Sequence, residues 1–178
     1  MPSQNLSEFV KNSCEKNSIR ILEMGGRTGG LTWRICNLLK HEDLAKSVEY
    51  VFTDLSNSLF KKAQSNLQEF DFICYQPFHP ETGLLGQDLH LESFDLIINL
   101  NTIHALSSLE GCMENLKSLL CDGGALLCLE ATNDCNVFDL WSGALEVCWA
   151  SNEVRMMQCY EKHECCWVYR HRDLFHTQ

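Results

Sequence analysis

The chain has 178 residues, enough for one domain and short for two. Its 14 Lys and Arg stand against 24 Asp and Glu, a net charge of −10 with no basic run, which argues against a nucleic-acid backbone or an anionic membrane surface as partner. Apolar residues make up an ordinary 45% and form no stretch near the roughly 20 residues that would span a bilayer. The polar segment 1–16 lacks the apolar core of a signal peptide, so the expected location is cytoplasmic.

The first strand is expected at 19–24, Ile19-Arg20-Ile21-Leu22-Glu23-Met24. It ends in Gly25-Gly26-Arg27-Thr28-Gly29-Gly30, and a helix over 31–40 follows, with Leu31, Ile35, Leu38 and Leu39 at helical spacing. A second strand is expected at 48–53, closed by Asp54. Segment 57–70 carries Leu59, Phe60, Ala63, Leu67 and Phe70 on one helical face, and 72–76 is a third strand candidate. With two prolines and two glycines, 77–93 is expected to be irregular.

The alternation then repeats. The nearly continuous apolar run 94–100 suits a central strand buried on both faces. A helix is predicted over 109–120, with Asp122-Gly123-Gly124 as its glycine stop, then a fifth strand at 125–130 and a helix over 137–150. The fold class is therefore α/β: a Rossmann-like parallel sheet of about five recognisable strands with helices on both faces. The terminal strand pair that would complete a seven-stranded sheet is not recognisable. Residues 1–150 form the domain and 151–178 a Cys/His-rich tail, in which only 165–169 looks like a strand.

The eleven cysteines are odd in number and scattered, which fits a reducing cytosol better than a disulfide framework. Cys36, Cys74, Cys112 and Cys128 fall inside expected elements and read as small buried hydrophobes. The tail's Cys159, His163, Cys165, Cys166, His171 and His176 match no standard zinc spacing, so no metal site is assigned.

Ligands of open α/β sheets bind at the carboxyl ends of the strands. Three such ends carry polar residues: the loop from Glu23 to Gly30, Asp54 with Leu55, and the segment from Asn101 to His104. The glycine loop fits close approach of backbone to ligand, and equally a tight turn. Asp54 is placed to accept hydrogen bonds from ribose hydroxyls, or to cap the following helix. His104 is a histidine past the fourth strand. Glu130 ends the fifth strand beside it and can orient an imidazole as a general base; a plain polar contact is the other reading.

Taken together, four motifs resemble the C-methyltransferase domains of polyketide synthases, which depend on S-adenosylmethionine. Residues 21–30 are similar to that family's ILEIGAGTGG and residues 50–56 to YTFTDIS. Residues 93–98 and 101–105 resemble SYDLVI and NVLHA; residues 122–132 resemble PGG followed by LLLEPT. The resemblance implies cofactor contacts from Glu23, Gly25, Gly26, Gly29, Asp54, Leu55 and Asn101, and a catalytic pair, His104 and Glu130. It implies methylation at the α-carbon of a β-ketoacyl chain, with an acyl carrier protein or other synthase domains as partners. The chain departs from the family at Arg27, in place of a glycine, and at His79, or nearby Phe78, in place of an acidic residue that reaches the adenine amine. Those departures point to the alternative: a catalytically inactive scaffold or interaction module, like the pseudo-methyltransferase of animal fatty acid synthases.

Overall fold

The structure is a computed structural model, and it describes residues 18–100, 102–103, 106–129 and 166–170. The element order is β1 (Ile19–Met24), α1 (Gly30–His41), a short 3-10 turn (Ala45–Ser47), β2 (Val48–Asp54) and α2 (Asn57–Asn66). It continues with β3 (Ile73–Pro77), β4 (Phe94–Leu100), α3 (Leu109–Leu119), β5 (Leu120–Leu129) and β6 (Cys166–Arg170). The strands form one sheet in the order β3-β2-β1-β4-β5-β6. The first five run parallel; β6, from the Cys/His-rich segment, runs antiparallel along β5, with Leu127 opposite Val168.

Side chains alternate across a strand, so each strand feeds two cores. Ile19, Ile21, Tyr50, Phe52 and Ile98 pack with Ile35, Cys36 and Leu39 of α1 and Ala63 of α2 on one face. Leu22, Met24, Val51, Ile97 and Leu126 pack with Cys112, Leu116 and Leu119 of α3 on the other. Burial on both sides fits the largely apolar makeup of β1, β2 and β4, and the polar residues Glu23, Thr53 and Asn99 within them are themselves buried.

Three local expectations are corrected. The second helix stops at Asn66 rather than residue 70; Leu67 and Phe70 still reach the core from the turn beyond it. The third helix stops at Leu119, not at the glycine pair: Leu120 is already extended, at φ −72 and ψ 134. Leu120 pairs with Phe94, and Gly123, at φ 79, falls within β5 where the register against β4 shifts. Burial of Leu119 and Leu120 outweighs the local stop signal. Cys74 is exposed on the edge strand β3, whereas Cys36, Cys112 and Cys128 are buried. The expected helix over 137–150 lies outside the described residues. Among the described residues no helix is long and apolar enough to cross a membrane.

Candidate functional site

The strand order reverses between β1 and β4, the kind of switch point beside which open α/β sheets bind ligands at the carboxyl ends of their strands. The glycine loop follows β1 there. Gly25, Arg27 and Gly29 all have positive φ, at 69°, 53° and 83°. A Cβ on Gly25 would lie 2.4 Å from the Thr102 Oγ1, so this glycine lets the loop close against the end of β4. A Cβ on Gly26 would lie 2.2 Å from the Phe52 ring. Where the family carries alanine, this chain therefore seats an aromatic ring, which also packs against Phe60 and Tyr75.

The loop is stitched to the end of β2. Gly26 N–H donates to the Thr53 carbonyl at 2.9 Å, and the Thr53 hydroxyl donates to the Glu23 carbonyl at 2.7 Å. Asp54 is only 7% exposed and spans two loops. Its Oδ2 accepts from Arg27 N–H at 2.9 Å and its Oδ1 from Ser56 N–H at 2.8 Å. Each carboxylate oxygen can accept a further bond. Asp54 is thus both a fastener of the glycine loop and an acceptor at the switch point.

Glu23 sits beneath the loop at 1% exposure. Its Oε2 accepts from the Thr32 hydroxyl at 2.6 Å and from the Tyr50 hydroxyl at 2.8 Å. Burial pushes its carboxyl above the usual range; the two hydroxyl bonds oppose this and nearby Asp54 adds to it. Burial, then the Glu23 charge, holds Tyr50 well above the usual phenol range. The carboxylate ties β1 to α1 and β2, and Thr32 and Tyr50 were missed in the sequence. Their signal was available: Ile19, Ile21 and Glu23 share one face of β1, the face α1 covers.

Beyond Asp54, Leu55 is 58% exposed and lines an open depression of about 910 Å³ with Tyr75, Phe78, His79, Asp88 and His90. Its wall is the irregular stretch between β3 and β4. Glu81 fastens that stretch to α3 by accepting from the Ser107 hydroxyl and from Ser108 N–H, which hold its carboxyl below the usual range. The Asn115 amide donates to the Pro80 and Thr82 carbonyls, each at 2.8 Å. Glu81 and Asn115 were also missed, because contacts to an irregular stretch leave no periodic trace; Thr102 falls within the segment from Asn101 to His104 singled out above.

The structure thus brings Glu23, Gly25, Gly26, Gly29, Asp54 and Leu55 to one end of the sheet. Asn101, His104 and Glu130 lie outside the described residues. Among the described residues no cluster of three or more His, Cys, Asp or Glu side chains could hold a metal ion; most of the tail's Cys and His fall outside them.

Comparison with known proteins agrees with this arrangement. The family model described as "Methyltransferase domain" matches residues 22–126. The non-reducing polyketide synthase ausA of Penicillium brasilianum is 35% identical over 173 residues, covering 93% of this chain and 7% of that protein. The chain spans only about 6–7% of the length of such curated relatives. The citrinin polyketide synthase CMeT domain superposes with a TM-score of 0.70 at 33% identity, over 78% of this chain and 36% of that one. The trans-methyltransferase CalH, solved in complex with SAH, gives 0.71 at 27% identity, over 79% and 40%. Over residues 22–126 and across the sheet that carries the glycine loop, the chain belongs to the methyltransferase-domain family and is homologous to the C-methyltransferase domains of polyketide synthases.

Proposed function

We propose that this chain is an S-adenosylmethionine-dependent C-methyltransferase domain that methylates the α-carbon of a carrier-bound β-ketoacyl chain. The observation that carries the reading is the convergence of three strand ends: the glycine loop, closed on Thr102 after β4 and held by Asp54 after β2. The residues fit the cofactor. Asp54 keeps acceptor capacity for a ribose diol, Leu55 offers an apolar shelf, and Gly25, Gly26 and Gly29 bring the backbone to the switch point, with Glu23 anchoring the loop from below. Asn101 is assigned to the methionine part of the cofactor.

When bound, S-adenosylmethionine supplies a methyl group on a positively charged sulfur that accepts the electron pair of the breaking bond. His104 takes the α-proton of the acyl chain, so that the nucleophile is the resulting enolate carbon. Glu130 orients the imidazole and stabilises its protonated form. Proximity and alignment supply much of the remaining barrier reduction. The partner is an acyl carrier protein or neighbouring synthase domain, a reading supported by relatives that are whole polyketide synthases.

Incubating the chain with a β-ketoacyl thioester and S-adenosylmethionine should add one CH2 to the thioester's mass. His104→Ala should reduce the rate by about 10²–10⁴-fold. No product from the native chain, with cofactor bound, would favour the second reading, a non-catalytic scaffold. One observation supports that alternative: Arg27, a permanently charged residue, takes a left-handed loop position at φ 53°.

A further inference from the structure

We infer that Glu81, in the irregular stretch between β3 and β4, is a positioning residue for the methyl transfer: its carboxylate sets the place of the connection 101–108, which carries His104. The inference rests on the catalytic reading above and names a residue to which the resemblance assigns no role.

The stretch that bears Glu81 is fixed without the Glu81 side chain. The Asn115 amide of α3 holds the Pro80 and Thr82 carbonyls on either side of it. The Gln87 side chain accepts from His79 N–H at 2.7 Å and donates to the carbonyls of His79, Thr82 and Gly83 at 3.0, 3.3 and 3.1 Å. Phe78 and Leu89, near the two ends of the stretch, are buried in the core that α3 covers. The carboxylate therefore acts from a fixed base on whatever it holds.

What it holds is the far end of the connection from β4 to α3. The near end is tied at β4, where the Thr102 hydroxyl donates to the Leu100 carbonyl at 3.1 Å. A turn follows, with Leu106 N–H on the Ile103 carbonyl at 3.1 Å and Leu106 buried. Ser107 and Ser108 come next and are exposed, and a single Glu81 oxygen, Oε1, accepts from the Ser107 hydroxyl and the Ser108 N–H. Bonds to an ionised acceptor are roughly twice as strong as neutral ones. The Ser108 hydroxyl also accepts from Gly111 N–H, so the same tie fixes where α3 begins. In sequence His104 falls between the two tied ends, and a base works only within hydrogen-bond reach of the proton it removes.

The test is methylation of a β-ketoacyl thioester by the native full chain, Glu81→Ala and Glu81→Gln, with S-adenosylhomocysteine affinity measured by calorimetry on each. Glu81→Ala should lower kcat by at least about tenfold, because the base is no longer held in line. Its affinity for S-adenosylhomocysteine should stay at the native value, since Asn115 and Gln87 still hold the stretch beside the depression. Glu81→Gln keeps the oxygen that accepts both bonds and should restore kcat close to native. An unchanged kcat in Glu81→Ala overturns the proposal. So does a loss of affinity as large as the loss of kcat, which would make Glu81 a support of the cofactor site, and so does a Glu81→Gln variant as slow as Glu81→Ala. Absence of product from the native chain overturns the catalytic reading, and the proposal with it.

Discussion

At the amino ends of β1, β2 and β4, Arg20 lies opposite Glu49 in register and makes two parallel bonds to its carboxylate, each 3.0 Å. Its guanidinium covers the Phe94 ring at 4.7 Å, and the Arg20 backbone N–H donates to the Asp95 carboxylate at 3.0 Å. At the carboxyl ends of the same strands such features are concentrated on one loop. A carboxylate is buried on two hydroxyls, a non-glycine residue sits at positive φ, and an acidic side chain is held by backbone N–H groups of two loops. The first end has a buried carboxylate, Asp95, and a non-glycine residue at positive φ, Glu92 before β4, beside a partly exposed ion pair. The second gathers two buried carboxylates, Glu23 and Asp54, and three positive-φ residues, Gly25, Arg27 and Gly29, around a single loop, each at a cost. That asymmetry is the physical reason to place the ligand at the carboxyl end.

The largest effect should come from forcing the glycine loop away from the end of β4. Gly25→Ala adds a left-handed alanine and a collision with Thr102, and should cost about 3 kcal/mol in denaturant unfolding. Adding Thr102→Ala removes the colliding atoms but not the backbone strain, so the double variant should recover only part of the loss. Full recovery would mean that the backbone at Gly25 is not strained.

The second prediction is a pH dependence. Glu23 has a folded-state pKa above its unfolded value of 4.5. The stability it contributes is fully present below the unfolded pKa and is lost as pH rises through the higher folded one. Glu23→Gln keeps an acceptor for Thr32 and Tyr50 and cannot ionise. Its melting temperature should therefore fall less than that of the native chain as pH is raised above 4.5. Parallel melting curves across that range would remove the buried carboxyl from the account.

Smaller effects sharpen the contrast. Arg20→Ala should cost about 1 kcal/mol, because the pair is partly exposed, at 25% for Arg20 and 41% for Glu49. Salt should shrink the loss, and ligand affinity should not change. Arg27→Gly should do the reverse. Relief of the left-handed strain is largely offset by a more flexible unfolded chain, leaving a gain of about 0.5 kcal/mol. Binding of S-adenosylmethionine, whose positive sulfonium the guanidinium would repel, should tighten by up to about tenfold. Weaker binding by Arg27→Gly would make Arg27 a ligand contact and remove the main support for the scaffold reading.

The architecture was legible because β1, β2 and β4 are buried on both faces, and such strands are written as apolar runs. Asp54 was legible because one residue type at a strand end serves as both fastener and acceptor. The stop of α3 was misread because Asp122-Gly123-Gly124 resembles a helix terminus, while the pairing of Leu120 with Phe94 is non-local and outweighs it. Glu23 was placed at the site by its position in the motif; its two hydroxyl partners follow from strand parity, which the motif does not express. Glu81 and its partners at the start of α3 escaped notice because an aperiodic loop shows nothing until it is closed against its neighbours. The proposed pair His104 and Glu130 was read from positions past adjacent strand ends and from the resemblance, and both residues lie outside the described ones.

The most direct test of the account is calorimetric titration of S-adenosylhomocysteine into the native chain and into Asp54→Ala, with circular dichroism confirming that the sheet survives. The account predicts one-to-one binding by the native chain and a loss of about 30-fold or more in the variant, since Asp54 both meets the ribose and holds the loop. Absence of binding by the native chain, or an affinity unchanged by Asp54→Ala, would contradict it.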